Sequence, residues 1–360
     1  MPDIVHVISD MSVGGAGVLL SHLLTDAPNE AGSLVLLPKG SLLCSLLEER
    51  RVPFLPFSAK KERSFSVEDT RTLARILSGT GARLVVSHAS LSARLAAKSR
   101  GLPTVSVRHC DTAVRRATSP LYNRLTDATI ATSRPLGAHL MAAGIKGVRV
   151  IENGYTPMGC PTRAQRRAAK RMLSIPESRI AIGLAGRLSP VKGQETAIRA
   201  LALLGEARKT FLLLFLGVGE EAGRLSLLAR TLGVEKEVRF LGFLADVRPF
   251  YHAIDAHISC SLDSETSSLS LAEGMSAGCP TVASDTCGNR ARVGGGGLLF
   301  PCGDAEALSR LFLLLSEEKK REHLSRLAVA RANELPTWER VRREYGALFG
   351  SFCGEVCTNG

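Results

Sequence analysis

The chain has 360 residues, enough for roughly two domains of ~150 residues, each able to bury a core without disulfide or metal staples. Its 45% hydrophobic, 22% charged and 5% aromatic content excludes both a disordered polar chain and a membrane-spanning one, and the longest apolar run, Phe211 to Leu216, is far shorter than the ~18 residues that cross a bilayer. The net charge of +12 favours phosphate groups, nucleic acid or anionic lipid as contacts without choosing among them, and its excess is mildly N-terminal, with 19 basic against 12 acidic side chains in residues 1–160.

The first residues begin a β-rich alternation with no basic segment leading into an apolar one, so no export signal is expected and the protein is expected to be cytoplasmic. Strands are expected at 4–9, 33–37, 83–87, 104–107, 128–131 and 148–151, with helical periodicity filling most of the gaps. Turn formers at 152–159 then interrupt every regular pattern and mark a domain boundary. Beyond them, basic residues 163–171 read as a helix with solvated charges, followed by strands at 180–184, 210–216, 238–240, 256–259 and 281–283. Gly294 to Gly297 mark a late loop, and residues 317–331 and 336–349 read as charged amphipathic helices, the second with Thr337 as cap and Trp338 as a packing anchor. Alternating strands and helices in two series indicate an α/β protein with parallel sheets covered on both faces. Nine cysteines scattered from Cys44 to Cys357, without a CxxC pair or a Cys/His cluster, read as reduced thiols.

Three segments carry chemistry. Gly14 and Gly15, between the first strand and an apolar helix, let backbone approach a ligand at a helix N-terminus, although a tight turn without ligand accounts for them equally well. The segment GRLSPVKG at 186–193 puts Arg187 and Lys192 in a loop at the C-terminal end of a strand. A forked guanidinium and a compact ammonium suit a diphosphate whose charge grows as its bond to carbon breaks; surface ion pairs are the other reading. In SETSSLSLAEGMSAGCPTVAS at 264–284, Glu265 precedes a helix N-terminus and Glu273 lies inside an otherwise small and apolar helix, where a buried carboxylate needs donors such as sugar hydroxyls. Backbone amides near Ser268 and Leu269 could face a phosphate.

GRLSPVKG followed by E-x7-E resembles the signature of the glycosyltransferase group 1 enzymes, family 4 of the retaining nucleotide-sugar transferases. The resemblance extends over most of the chain through DATIATS at 127–133, Glu152-Asn153-Gly154, FLGF at 240–243 and the late Trp-containing helix. It implies a GT-B architecture: two Rossmann-like doubly wound domains facing across a cleft, residues 1–157 for the acceptor and 158–335 for the nucleotide sugar, with a C-terminal helix in 336–360 crossing back to the first. It further implies that Arg187 and Lys192 hold the diphosphate, Glu273 the ribose and Glu265 the transferred sugar. Ser268 and Leu269 would give amides to the phosphates, Gly14 and Gly15 would approach the donor, and His109, at the end of a strand, would bond donor sugar or acceptor. Thr266, Ser267 and Ser268 stand where the family commonly has glycines, and Arg290 and Arg292 follow Gly288-Asn289 where a glutamate often appears, marking either a different acceptor contact or surface drift.

The function expected is retaining, metal-independent transfer of a sugar from a nucleoside diphosphate, most simply a UDP-sugar, with no cofactor. The acceptor expected is a carbohydrate or lipid-linked intermediate of lipopolysaccharide or surface polysaccharide synthesis, with peripheral contact to an anionic membrane and no nucleic acid partner. A nucleotide-sugar 2-epimerase of the same architecture and a non-catalytic sugar-nucleotide-binding protein are the alternatives.

Overall fold

The computed structural model describes residues 2–11, 15–25, 32–58, 65–109, 116–262 and 268–353. The chain forms two units, one made of Met1–Gly154 with Pro336–Gly360 and the other of Tyr155–Leu335. In the first, β1 (Ile4–Ile8), α1 (Gly15–Leu24), β2 (Ser33–Pro38), α2 (Leu43–Glu49), β3 (Phe54–Phe57) and α3 (Val67–Ser78) form one half. The other half has β4 (Leu84–His88), α4 (Leu91–Ser99), β5 (Thr104–Arg108), α5 (Ser119–Arg124), β6 (Ala128–Ala131), α6 (Arg134–Ala142) and β7 (Val148–Val150).

The second unit runs α7 (Arg163–Met172), β8 (Ile180–Ala185), α8 (Gln194–Ala202), β9 (Phe211–Leu216), α9 (Ala222–Thr231), β10 (Val238–Gly242) and α10 (Arg248–Ala253). It continues with β11 (Ala256–Ser259), α11 (Leu269–Ser276), β12 (Thr281–Ser284), α12 (Cys287–Val293), β13 (Leu298–Phe300), α13 (Ala305–Ser316) and α14 (Glu318–Glu334). The chain then gives α15 (Trp338–Cys353) back to the first unit.

Each sheet is wholly parallel, in the orders β3-β2-β1-β4-β5-β6-β7 and β10-β9-β8-β11-β12-β13. The strands β8 and β9 are continuous apolar runs, β9 reading Phe-Leu-Leu-Leu-Phe-Leu with every residue buried, because helices cover both faces. Side chains alternate: Val5 and Val7 pack under α3 and α4, while Ile8 packs with Leu20, Leu43 and Leu47 from α1 and α2. Ser90, Ser133 and Thr286 cap their helices by accepting the third amide.

The structure adds two strands to those expected, β3 and β13, both at sheet edges. Edge strands are short and half-solvated, so their pattern is weak, and β3 carries Pro56, which only an edge tolerates. The four-glycine run is fixed by close approach: a Cβ on Gly296 would lie 2.4 Å from Arg331 Cβ, and one on Gly297 2.4 Å from the Thr281 carbonyl oxygen. Trp338 anchors α15 as expected, buried and stacked on His22 with ring centroids 4.5 Å apart.

The basic helix α7 corrects its expected solvation. Thr162 and Gln165 form a capping box, and two of the helix's cations turn inward to Asp255: Lys170 Nζ lies 2.9 Å from Oδ2 and Arg166 Nη1 3.3 Å from Oδ1. Asp255 Oδ2 also accepts the Ala181 amide at 2.9 Å, at the start of β8. Lys170 is only 5% exposed, so Asp255→Ala strands a buried ammonium and is expected to cost about 3 kcal/mol, read from the urea-unfolding midpoint. A loss below ~1 kcal/mol, the range of surface pairs, would show that solvent screens the contact.

Candidate active site

In the second unit the chain leaves β8 toward β9 and β10 but leaves β11 toward β12 and β13, so the loops after β8 and β11 part at the C-terminal edge. Ligands of open α/β sheets bind at such a reversal. The β8 loop holds Arg187, exposed, and Lys192, half-buried with its stem near Gly186. The loop is pinned by its neighbours: Gly186 N–H donates to Leu216 O at 2.9 Å, Leu188 N–H to Val218 O at 3.0 Å and Leu262 N–H to Val191 O at 2.9 Å. Gln194 Nε2 donates to the Arg187 carbonyl at 2.8 Å. Gly193, with φ +63°, passes so near β11's end that a Cβ would lie 2.0 Å from Cys260 O. Two cations thus extend from a backbone frame with little freedom to move.

The other side of this reversal is α11. Ser268 precedes it and makes no side-chain cap to its amides, its Oγ instead lying 3.2 Å from Ser270 Oγ. Among the described residues no side chain caps this first turn, whose N–H groups carry the positive end of the helix. One turn on, Glu273 Oε2 accepts a 2.8 Å hydrogen bond from Tyr251 of α10, a side chain 1% exposed. Burial pushes the Glu273 carboxyl above its ordinary range, against the Tyr251 hydrogen bond and the attraction of Arg292. Burial and the adjacent carboxylate push the Tyr251 phenol well up, so the proton stays on tyrosine. Glu265, together with Thr266 and Ser267, and Gly14 of the first unit lie outside the described residues.

Arg290 and Arg292 part ways. Arg290 is an exposed residue whose Nε and Nη2 each lie 2.7 Å from a different oxygen of Asp285, whereas Arg292 is 4% exposed and electrostatically coupled to Glu273. Arg290 thus lies at the surface and Arg292 in the interior beside Glu273.

The first unit has its own reversal, between β1 and β4. Gly15 opens α1 there, exposed, and none of the described residues comes within 4 Å of where a Cβ would stand. His109 follows β5, and its Nε2 lies 3.0 Å from Nδ1 of His88, the last residue of β4. His88 Nε2 in turn lies 3.4 Å from Nδ1 of His6 in β1. The sequence reading named His109 and missed His6, His88 and Tyr251. The signal for the histidines was available: once β1, β4 and β5 are neighbours, histidines in or near the C-terminal halves of all three must gather.

Two family models cover the chain. "Glycosyltransferase Family 4" matches residues 13–157 and "Glycosyl transferases group 1" matches residues 165–330. This chain belongs to the group 1 glycosyl transferases. Among curated proteins the family likeness includes lipopolysaccharide core biosynthesis glycosyltransferase LpsE of Rhizobium meliloti, 33% identical over 52% of this chain and 54% of that one. It also includes the putative glycosyltransferase EpsD of Bacillus subtilis, 29% identical over 56% and 54%. The chain spans about half the length of the curated relatives it matches. HepE of Anabaena, solved in complex with UDP and glucose, has the same fold, with a TM-score of 0.84, 22% identity and coverage of 98% of this chain and 100% of that one. The fold is thus the GT-B class, two Rossmann-like parallel sheets with their helices.

Buried Cys279 and Cys260 are free thiols whose ionisation burial opposes, the former pushed up to about 12, so neither is a reactive thiolate at neutral pH. Glu273 is different in kind, a carboxylate kept buried at a cost to the fold. Its folded pKa is raised, so the ionised form weakens the ligand-free protein as pH rises through that value, and protonation below the unfolded pKa removes the penalty. Glu273→Gln is therefore expected to raise the melting temperature at pH 7, with the gain vanishing below the ordinary carboxylate range; a lower melting temperature at pH 7 would contradict the burial argument.

Proposed function

We propose that the protein is a retaining glycosyltransferase that moves a sugar from a nucleoside diphosphate, a UDP-sugar in the simplest case, to a carbohydrate or lipid-linked acceptor. The observation that carries this reading is the pairing at one reversal of Arg187 and Lys192, on a pinned loop, with the N-terminus of α11, which no side chain among the described residues caps. As the anomeric carbon–oxygen bond breaks, negative charge grows on the diphosphate, and donors already aimed at it stabilise that charge without reorganising. Arg187 would fork to two phosphate oxygens, Lys192 would place a point charge between them, and the Leu269 amide would add a third donor. These groups can neutralise the leaving group, so a metal ion is not needed for the step.

Glu273, with one oxygen fixed by Tyr251, has lone pairs left for the two ribose hydroxyls. Glu265 would take hydroxyls of the transferred sugar, Gly14 and Gly15 would let the first unit's backbone approach the donor, and His109 would bond sugar or acceptor. The relatives support the substrate class: HepE is solved with UDP and glucose, and LpsE is named for lipopolysaccharide core biosynthesis. A surface polysaccharide or lipopolysaccharide intermediate is accordingly the acceptor we propose, met in the cytoplasm at the inner face of an anionic membrane. There, basic side chains of residues 1–160 would each contribute ~1 kcal/mol. The contact we propose is peripheral; no helix among the described residues is long and apolar enough to cross a membrane. Co-sedimentation with anionic vesicles at low salt checks it, and protein left wholly in the supernatant would count against it.

A thermal-shift screen of nucleotide sugars tests the reading directly. A donor present at ~100 times its Kd adds ~2.7 kcal/mol of apparent stability, and UDP-sugars are expected to give that shift with or without EDTA. Lys192→Ala is expected to weaken the donor about tenfold or more, the worth of a hydrogen-bonded charge. An unchanged shift in that variant would remove the phosphate assignment.

A further inference from the structure

Of the two arginines that follow Gly288-Asn289, Arg292 is the interior one, 4% exposed and near the end of α12. Its neighbour Val293 packs with Leu271, Ala272 and Met275 of α11, the helix that carries Glu273. The end of α12 is fixed from α14: Arg331 Nη2 donates to the Ala291 carbonyl at 2.8 Å and Nε to the Arg292 carbonyl at 3.1 Å. Gly294 and Gly296 make room for that side chain, since Cβ atoms there would fall 3.0 Å from Arg331 Nε and 2.4 Å from its Cβ. Tyr155, whose hydroxyl donates to the Ala332 carbonyl at 3.0 Å, belongs to the same apolar cluster and also feels the Arg292 charge.

A guanidinium stays protonated in proteins, so a buried one is a permanent positive charge, tolerated where negative charge is near. Two shielded carboxylates of this unit are taken elsewhere, Asp255 by Lys170 and Arg166, and Glu237 by Arg208 at 4.0 Å. Glu273 is the carboxylate whose ionised form Arg292 favours. The other elements packed around Glu273 bring it no charge. His257 of β11 would lie 2.9 Å from a Cβ at Gly274 and meets Tyr251 edge to face, with centroids 5.6 Å apart; burial drops it to about 3, so it is neutral. The Cys279 thiol is kept protonated by burial, and β12, Thr281–Ser284, has no ionisable side chain. From α14, Ala328 and Ala332 pack on α11, while Arg331 is engaged with the α12 carbonyls and Glu334. Among the described residues, then, Tyr251 supplies the hydrogen bond, to Oε2, and Arg292 the charge. Together they oppose the burial that would otherwise protonate the carboxyl.

We propose that Arg292 is a positioning residue for donor recognition: its buried charge keeps Glu273 an ionised, acceptor-only carboxylate, so that with Oε2 held by Tyr251 the remaining lone pairs serve both ribose hydroxyls. A protonated carboxyl would present an O–H in place of one acceptor. The ribose contact rests on the proposed reading of Glu273; the coupling of Arg292 to Glu273 does not.

Melting temperatures of the full chain at pH 7 test the coupling without ligand. Glu273→Gln is expected to raise the melting temperature more in an Arg292→Met background than in the wild type, because there the carboxylate has lost its counter-charge. Equal gains in the two backgrounds would overturn the coupling. Arg292→Lys, which keeps the charge, is expected to give the wild-type gain, and Arg292→Gln replaces the methionine variant should that one not fold.

Calorimetric titration with UDP and with its 2′,3′-dideoxy analogue then reads the ribose alone, since the phosphates of the two ligands titrate alike. The wild type is expected to prefer UDP about tenfold at pH 8, and Glu273→Gln to remove most of that preference. As pH falls, Glu273 takes up a proton and the preference fades. Without the nearby cation this occurs at higher pH, about one unit higher in Arg292→Met, while Arg292→Lys follows the wild type. Tyr251→Phe, which lacks only the hydroxyl, is expected to reduce the preference about threefold at pH 8. A preference undiminished by Glu273→Gln would overturn the ribose reading, whatever the melting temperatures show. A preference removed by Glu273→Gln, with superimposable pH profiles for the wild type and Arg292→Met, would overturn the role of Arg292 and leave the ribose reading in place.

Discussion

In a parallel sheet every strand runs the same way, so whatever follows the strands emerges along one edge. Where the strand order reverses, two adjacent loops must diverge, and the gap between them is lined by backbone rather than filled by it. Both units of this protein obey that constraint, at β8/β11 and at β1/β4, and the residues with chemical potential collect at these two places. The β8 loop can be rigid there because glycines let main chain lie on main chain. A Cβ on Gly217 would fall 2.2 Å from the Gly186 carbonyl oxygen, and one on Gly219 2.1 Å from that of Leu188. Arg187 and Lys192 derive their fixed origin from these contacts.

Much of this was legible in the sequence because local pattern and tertiary role coincide. Central strands buried on both faces are continuous apolar runs, and the loop with Arg187 and Lys192 is punctuated by glycine and proline at its two ends. What escaped notice lacked local signature. The edge strands β3 and β13 are three or four residues long and half-solvated. The inward turn of Lys170 and Arg166 depends on Asp255, some 85 residues away, and a run of positive charges gives no hint of it. Tyr251 is one aromatic in a helix until α11 brings a carboxylate to its hydroxyl.

The histidine row shows the same limit from another side. His6 and His88 are separated by 82 positions, and each alone is an unremarkable polar residue in an apolar strand. Only the topology, which lays β4 between β1 and β5, turns three isolated imidazoles into a connected set. Glu273 and these histidines share a thermodynamic feature: each is a polar group kept in a poorly solvating place, and the fold carries the penalty elsewhere through well-packed strands.

The helix α15 has a consequence for how the chain assembles. Its Trp338, Tyr345 and Phe349 are buried in the first unit, Trp338 against His22 and Phe349 against His6. On the ribosome these side chains emerge only after all of residues 155–335. The first sheet is therefore made early and covered late, its α15-facing surface left open while the second unit is translated, and nascent-chain chaperones would meet it in that interval.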